Sequence, residues 1–184
     1  CDITKRANNL ITSIINYHKV YNFHQIIGDY SPGYIYGNVK IHKPGFPLRP
    51  IISQVPTPTY HLAKTLNSLI SPYCPNKYSL KSSFEFINLI KGHRCTNGVL
   101  ASLDVESLFT NVPVDKTIDI ILQYVYHHPS LPPLHVEKEI LSELLTICTK
   151  KIPFRHPSGE LFQQIDGVAM GSPLGPTFAG FYMG

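Results

Sequence analysis

LDVESLFTNVP, residues 103–113, is the stretch of this 184-residue chain that says most about its structure. The apolar run from Val99 to Leu103 predicts a strand that ends at the carboxylate of Asp104. Pro113 suits the first turn of a following helix, because its fixed φ fits there and its missing N–H would have no partner. A carboxylate at the end of an anchored strand is well placed to bind a metal ion.

A second stretch, GVAMGSPLGP at residues 167–176, is rich in glycine and proline and leads into the apolar run Phe178 to Met183. Glycines allow close approach of the backbone to a nucleotide or template, because they carry no side chain. This stretch therefore predicts a turn at a binding surface.

Upstream, a KIHKP element spans residues 40–44 and an LRPIIS element spans residues 48–53. Two β-rich segments, Tyr34–Ile41 and Leu48–Ser53, flank a basic tip that is stiffened by proline. This arrangement predicts a β-hairpin.

The remaining sequence predicts mostly helices. Apolar residues recur at helical spacing in residues 7–17, 57–70, 82–90, 113–126 and 136–150. Residues 154–155 and 161–165 predict a second hairpin around a Pro-Ser-Gly turn. The mixture predicts an α+β fold in one continuous body.

Composition narrows the function classes. No apolar run approaches the ~20 residues of a membrane span, so no membrane partner is expected. The four cysteines are scattered, which argues against a disulfide or zinc framework. Residues 1–100 carry 11 Lys and Arg against 3 acids, and residues 101–184 carry 5 against 9. A basic half suits phosphate backbones, and an acidic half suits a cation.

The four elements KIHKP, LRPIIS, SLDVESLFTNVP and GVAMGSPLGP, in that order, resemble the reverse transcriptase motifs of Penelope-like retroelements, relatives of telomerase. The resemblance covers residues 33–184. It implies an α+β fold with reverse-transcriptase-type fingers and a partial palm of a right-hand polymerase. The expected organisation is a helical lead-in at residues 1–32, fingers at about 33–97 and palm at about 98–184.

The resemblance also implies roles for particular residues. Asp104 would be the catalytic carboxylate and would bind Mg²⁺ together with the Val105 carbonyl, in a two-metal nucleotidyl transfer. The implied partners are an RNA template, a DNA primer and deoxynucleotide triphosphates. The residues expected to bind the nucleotide are Lys43, Arg49, Phe109, Gly171, Ser172 and Pro173.

Several of these assignments have alternatives. Phe109 stands five residues after Asp104, where reverse transcriptases place an aromatic ring against the sugar, and the alternative is an aromatic residue of the core. Lys40 competes with Lys43 for the phosphate contact. Met170 stands where many reverse transcriptases have Gln, so the contact of that Gln is not expected here.

One departure from the family pattern is large. No Asp-Asp pair occurs in this sequence, which ends at Gly184 before that motif and the thumb would be due. We therefore expect a fragment that is inactive alone, from an intact parent that is an RNA-directed DNA polymerase and is intracellular, in the nucleus. The alternatives are a decayed or domesticated relic that only binds RNA or RNA–DNA hybrid, and a reverse transcriptase of the telomerase or group II intron type.

Overall fold

A computed structural model describes residues 2–17, 23–75, 77–93, 98–150 and 152–184. Within these ranges the chain is a mixed α+β fold with seven helices and four strands, as the sequence predicted at this level. None of the helices in these ranges is long and apolar enough to cross a membrane. The strands are β1 (Gly33–Val39), β2 (Leu48–Ser53), β3 (Pro153–Arg155) and β4 (Leu161–Gln163). The helices are α1 (Asp2–Tyr17), α2 (Tyr60–Ile70), α3 (Ser83–Ile90), α4 (Leu108–Asn111), α5 (Val114–His127), α6 (Lys138–Thr149) and α7 (Gly175–Met183).

The four strands form one sheet in the order β2-β1-β3-β4. Strands β1 and β2 pair antiparallel, with Tyr34 opposite Ser53 and Val39 opposite Leu48. Strands β3 and β4 are also antiparallel, so both predicted hairpins are confirmed. The parallel pairing of β1 with β3 was not predicted. It joins a strand of the predicted fingers to a strand of the predicted palm, so one sheet crosses that expected boundary.

The core lies among the helices, and the predicted helices are confirmed with shifted ends. Helix α5 buries Ile118, Ile121, Leu122 and Val125, and α6 buries its own apolar stripe beside it. Helix α7 adds Phe178 and Phe181, both nearly inaccessible to solvent. Removing such side chains from water supplies most of the stabilisation of a helical core. At Cys148, on α6, burial raises the pKa of the thiol.

The prediction of a strand at Val99 to Leu103 is wrong. Residues 98–105 form neither helix nor strand, and Val99, Leu100 and Leu103 are 94%, 85% and 95% exposed. A strand is stabilised by pairing, and none of the four strands of the described sheet pairs with this segment. Asp104 therefore lies in an exposed irregular segment instead of at the end of an anchored strand.

Candidate functional site

A cavity of about 430 Å³ opens where β2, α2, α4 and the loop before α7 meet. β2 and α2 are near neighbours in the sequence, but α4 and the loop before α7 lie far from them, and only the tertiary fold brings the two groups together. Of the six residues expected to bind a nucleotide, five line this cavity: Arg49, Phe109, Gly171, Ser172 and Pro173. The grouping follows from the way the glycine-rich loop is held against two neighbours.

The first neighbour of the loop is the end of β2. The Ile52 N–H donates a 2.8 Å hydrogen bond to the carbonyl of Met170. Gly171 has a φ of +112°, and a Cβ atom there would lie 2.5 Å from the Ile52 carbonyl oxygen. Only glycine fits this close approach, because any side chain would overlap the backbone of β2. The glycine brings the loop close to the protein's own backbone.

The second neighbour of the loop is α4. The Val168 N–H donates a 2.8 Å hydrogen bond to the carbonyl of Phe109. Gly167 has a φ of +73°, and a Cβ atom there would lie 2.5 Å from the Phe109 oxygen and 2.6 Å from the Thr110 Cα. The loop is therefore clamped between β2 and α4, and its residues 169–173 line the cavity.

Ser172 has an internal role in the same loop. Its side chain is buried, and its Oγ accepts a 3.3 Å hydrogen bond from the Leu174 N–H. Its carbonyl accepts a 3.1 Å bond from the Gly175 N–H, at the first residue of α7. These bonds satisfy donors at a helix start, which otherwise lack partners. Ser172 thus shapes the loop, whereas Pro173 and the exposed Gly171 present the loop surface to the cavity.

Phe109 is half-buried, with one part packed against the core and another part facing the cavity. Helix α4 starts after Ser107, whose φ of +52° is unusual for a residue other than glycine. The Thr110 hydroxyl and the Asn111 amide both donate to the Ser107 carbonyl and stabilise this turn. The Phe109 ring lies against Gly175, where a Cβ atom would be 3.4 Å from Cε1. The ring therefore packs against the edge of the core and also lines the cavity.

The other predicted site residues lie elsewhere. Asp104 and Val105 are exposed and do not line the cavity, and neither do Lys40 and Lys43 in the tip of the β1–β2 hairpin. The Lys43 N–H donates to the Lys40 carbonyl at 3.1 Å, so both lysines belong to one tight turn. Which of the two contacts phosphate stays a prediction. In the part of the chain that the structure describes, no three His, Cys, Asp or Glu side chains cluster closely enough to hold a metal ion.

Two of the residues that line the cavity lie outside the four motifs and were missed in the sequence. Tyr60 and Lys64 lie one turn apart on α2, and the Lys64 ammonium is 5.0 Å from the centre of the Tyr60 ring. A cation over an aromatic face is attracted by the ring quadrupole. The spacing of four residues is the signal that shows a shared helix face. The spacing alone does not show that this face of α2 borders β2 and the glycine-rich loop.

Comparisons with protein-family models, with curated proteins and with solved structures found no match for this chain. A function therefore has to be argued from the motifs and from the cavity that they line. The cavity offers a guanidinium, an ammonium, two aromatic rings and a glycine-rich wall. Such a set suits a ligand that combines phosphate groups with flat or apolar parts.

Proposed function

We propose that this chain is part of an RNA-directed DNA polymerase similar to those of Penelope-like retroelements, and that the cavity binds the incoming deoxynucleotide triphosphate. One observation supports this most. Arg49, Phe109 and the loop of Gly171 to Pro173 come from three of the motifs that resemble this family, and they line one cavity. An RNA template and a DNA primer are the partners that this proposal requires.

In the proposed complex, each side chain has a separate task. The Arg49 guanidinium presents a planar fork of N–H donors that matches phosphate oxygens, and the Lys64 ammonium adds a point charge. The Phe109 ring, fixed by its packing against Gly175, limits the space beside the sugar. The clamped loop holds its own wall of the cavity in place, so the shape of the site changes little when a nucleotide enters.

The proposal also implies Mg²⁺, held by Asp104 and the Val105 carbonyl. Mg²⁺ prefers oxygen ligands and keeps much of its shell for phosphates and water. In the described residues Asp104 is exposed and belongs to no cluster of three potential ligands, so the groups present do not form a two-metal site. In this proposal the remaining carboxylates come from an Asp-Asp hairpin in a longer polypeptide.

Arg49→Ala is expected to weaken triphosphate binding by about tenfold or more, because a charge-assisted contact to phosphate is lost. Arg49→Lys should restore little of this affinity, since an ammonium cannot reproduce the two-pronged fork. Titration of each 184-residue variant with a fluorescent deoxynucleotide triphosphate measures the two affinities. Lys77→Ala, which removes an exposed charge that does not line the cavity, is the matched control. Wild-type affinity in Arg49→Ala would remove the basis of the nucleotide site.

Phe109→Val is expected to raise the efficiency of ribonucleotides relative to deoxynucleotides, because the smaller side chain leaves room for a 2′-hydroxyl. The ratio of the two kcat/KM values measures this in a polypeptide with polymerase activity. Phe178→Val is the matched control, because it shortens a fully buried ring of the core. That control should lower the melting temperature and leave the ratio unchanged. A lowered melting temperature with an unchanged ratio in Phe109→Val would show that Phe109 only packs against the core and does not select the sugar.

A further inference from the structure

Two exposed tyrosines lie on one face of the β1–β2 hairpin. Tyr34 and Tyr36 are two residues apart in β1, so their side chains share a face. They are 50% and 44% exposed, and their ring centres are 6.0 Å apart at an interplanar angle of 34°. The register places Ile51 opposite Tyr36 and, in the parallel pair with β3, Arg155 beside Tyr34. We call Tyr34, Tyr36, Ile51, Arg49 and Arg155 the tyrosine face.

The tyrosine face is continuous with the proposed nucleotide cavity. Arg49 pairs with Asn38, which lies two residues after Tyr36 in β1. Paired residues of neighbouring strands share a side of the sheet, so Arg49 lies on the same side as Tyr36. Arg49 and Ile51 both line the cavity as well. A polymer that leaves the cavity along β1 would therefore pass over Tyr36 and then Tyr34.

The charge of the sequence that contains β1 and β2 favours a polyanion as the ligand. Between Asp29 and Glu85 the sequence contains no acid and six basic residues, namely Lys40, Lys43, Arg49, Lys64, Lys77 and Lys81. Among the described residues neither Arg49 nor Arg155 has a carboxylate partner within 4.0 Å. The Arg155 Nη1 donates a 3.2 Å hydrogen bond to the Gly159 carbonyl. Both guanidinium groups are exposed, and among the described residues no carboxylate competes with a phosphate for them.

The rings favour unpaired bases in particular. Exposed aromatic side chains beside basic groups are a recurring platform on which bases of a single strand stack. A duplex hides the faces of its bases, and its rise of about 3.4 Å per nucleotide is smaller than the separation of the two rings. An extended single strand can place one base on each ring.

We propose that the tyrosine face binds a single-stranded nucleic acid, with one base stacked on Tyr34, a neighbouring base stacked on Tyr36, and phosphates near Arg49 and Arg155. This inference rests on the proposed polymerase function, in which the bound strand is the unpaired part of the template. Stacking accepts every base, so the face would hold a template without reading its sequence.

Fluorescence anisotropy of the 184-residue chain with a labelled single-stranded oligonucleotide tests this proposal. Tyr34→Ala and Tyr36→Ala should each weaken binding by about 5- to 150-fold, the range expected when one stacked base is lost. Phe at either position should keep the affinity. Leu should lose it, because Leu retains apolar volume without an aromatic face. Tyr78→Ala is the matched control, since Tyr78 is also exposed and has the Lys77 ammonium 5.1 Å from its ring.

Salt dependence separates stacking from charge. The Tyr variants should lower the affinity without changing the slope of log K against log salt, whereas Arg155→Ala should reduce that slope by about 0.7. RNA and DNA strands of the same sequence should both bind, and the corresponding duplex should bind more weakly. Full affinity in the Leu variants would instead identify the face as an apolar contact surface for a protein.

The outcomes also distinguish this inference from the proposed function. Single-strand affinity within about twofold of wild type in both Tyr→Ala variants would overturn the tyrosine face, and unchanged triphosphate binding in them would leave the nucleotide cavity intact. Loss of single-strand binding in the Tyr variants, together with no effect of Arg49→Ala on triphosphate binding, would support the face and reject the cavity.

Discussion

Gly167→Ala is expected to destabilise the 184-residue chain by about 3 to 5 kcal/mol, near the upper end for a point mutation. Part of this cost is the left-handed backbone at a φ of +73°, worth about 1–2 kcal/mol for a residue with a side chain. The rest arises because the new Cβ would lie 2.5 Å from the Phe109 oxygen, and backbone atoms cannot move aside locally. Thermal unfolding should show a melting temperature lower by roughly 6–20 °C.

Gly159→Ala is the matched control for this experiment. Gly159 has a φ of +92°, and a Cβ atom there would meet nothing within 4 Å. This variant therefore carries the backbone strain without the steric overlap, and it should lose only about 1–2 kcal/mol. Equal melting temperatures for the two variants would show that the loop is not clamped against α4.

Asp104→Asn is expected to reduce primer extension by at least about a thousandfold in a polypeptide that continues through an Asp-Asp hairpin. The substitution removes the negative charge from the carboxylate that the proposed function assigns to Mg²⁺, and it barely changes the shape of the side chain. Binding of the nucleic acid should stay largely intact, because Asp104 is an exposed acid outside the cavity. Primer extension and binding measured on the same preparation give both results.

Glu106→Gln is the matched control, since it neutralises an exposed carboxylate two residues away. It should change extension by no more than a few-fold. Extension by Asp104→Asn within tenfold of wild type would correspond to only ~1.4 kcal/mol of barrier, too little for a metal ligand. That outcome would contradict the catalytic assignment of Asp104 and would favour a chain that only binds nucleic acid.

Local patterns in the sequence were sufficient for much of the secondary structure. The β1–β2 hairpin follows from two β-rich segments around a basic tip, and α5 follows from an apolar period of helical spacing after Pro113. Ser82 accepts a hydrogen bond from the Glu85 N–H, which places the start of α3 within one residue of the prediction. Each of these signals concerns residues that are close in the sequence, so the sequence alone contains the physical reason.

The tertiary structure decided which of these pieces meet. The apolar run at Val99 to Leu103 has the composition of a strand but finds no partner in the described sheet, whereas the short β3 pairs with β1. The glycine-rich stretch was predicted to approach a nucleotide or template, but the tight neighbours of Gly167 and Gly171, the backbones of α4 and β2, emerged only from the fold. The cavity itself depends on contacts between residues more than a hundred positions apart, and the energy of such contacts depends on the packing of the whole chain.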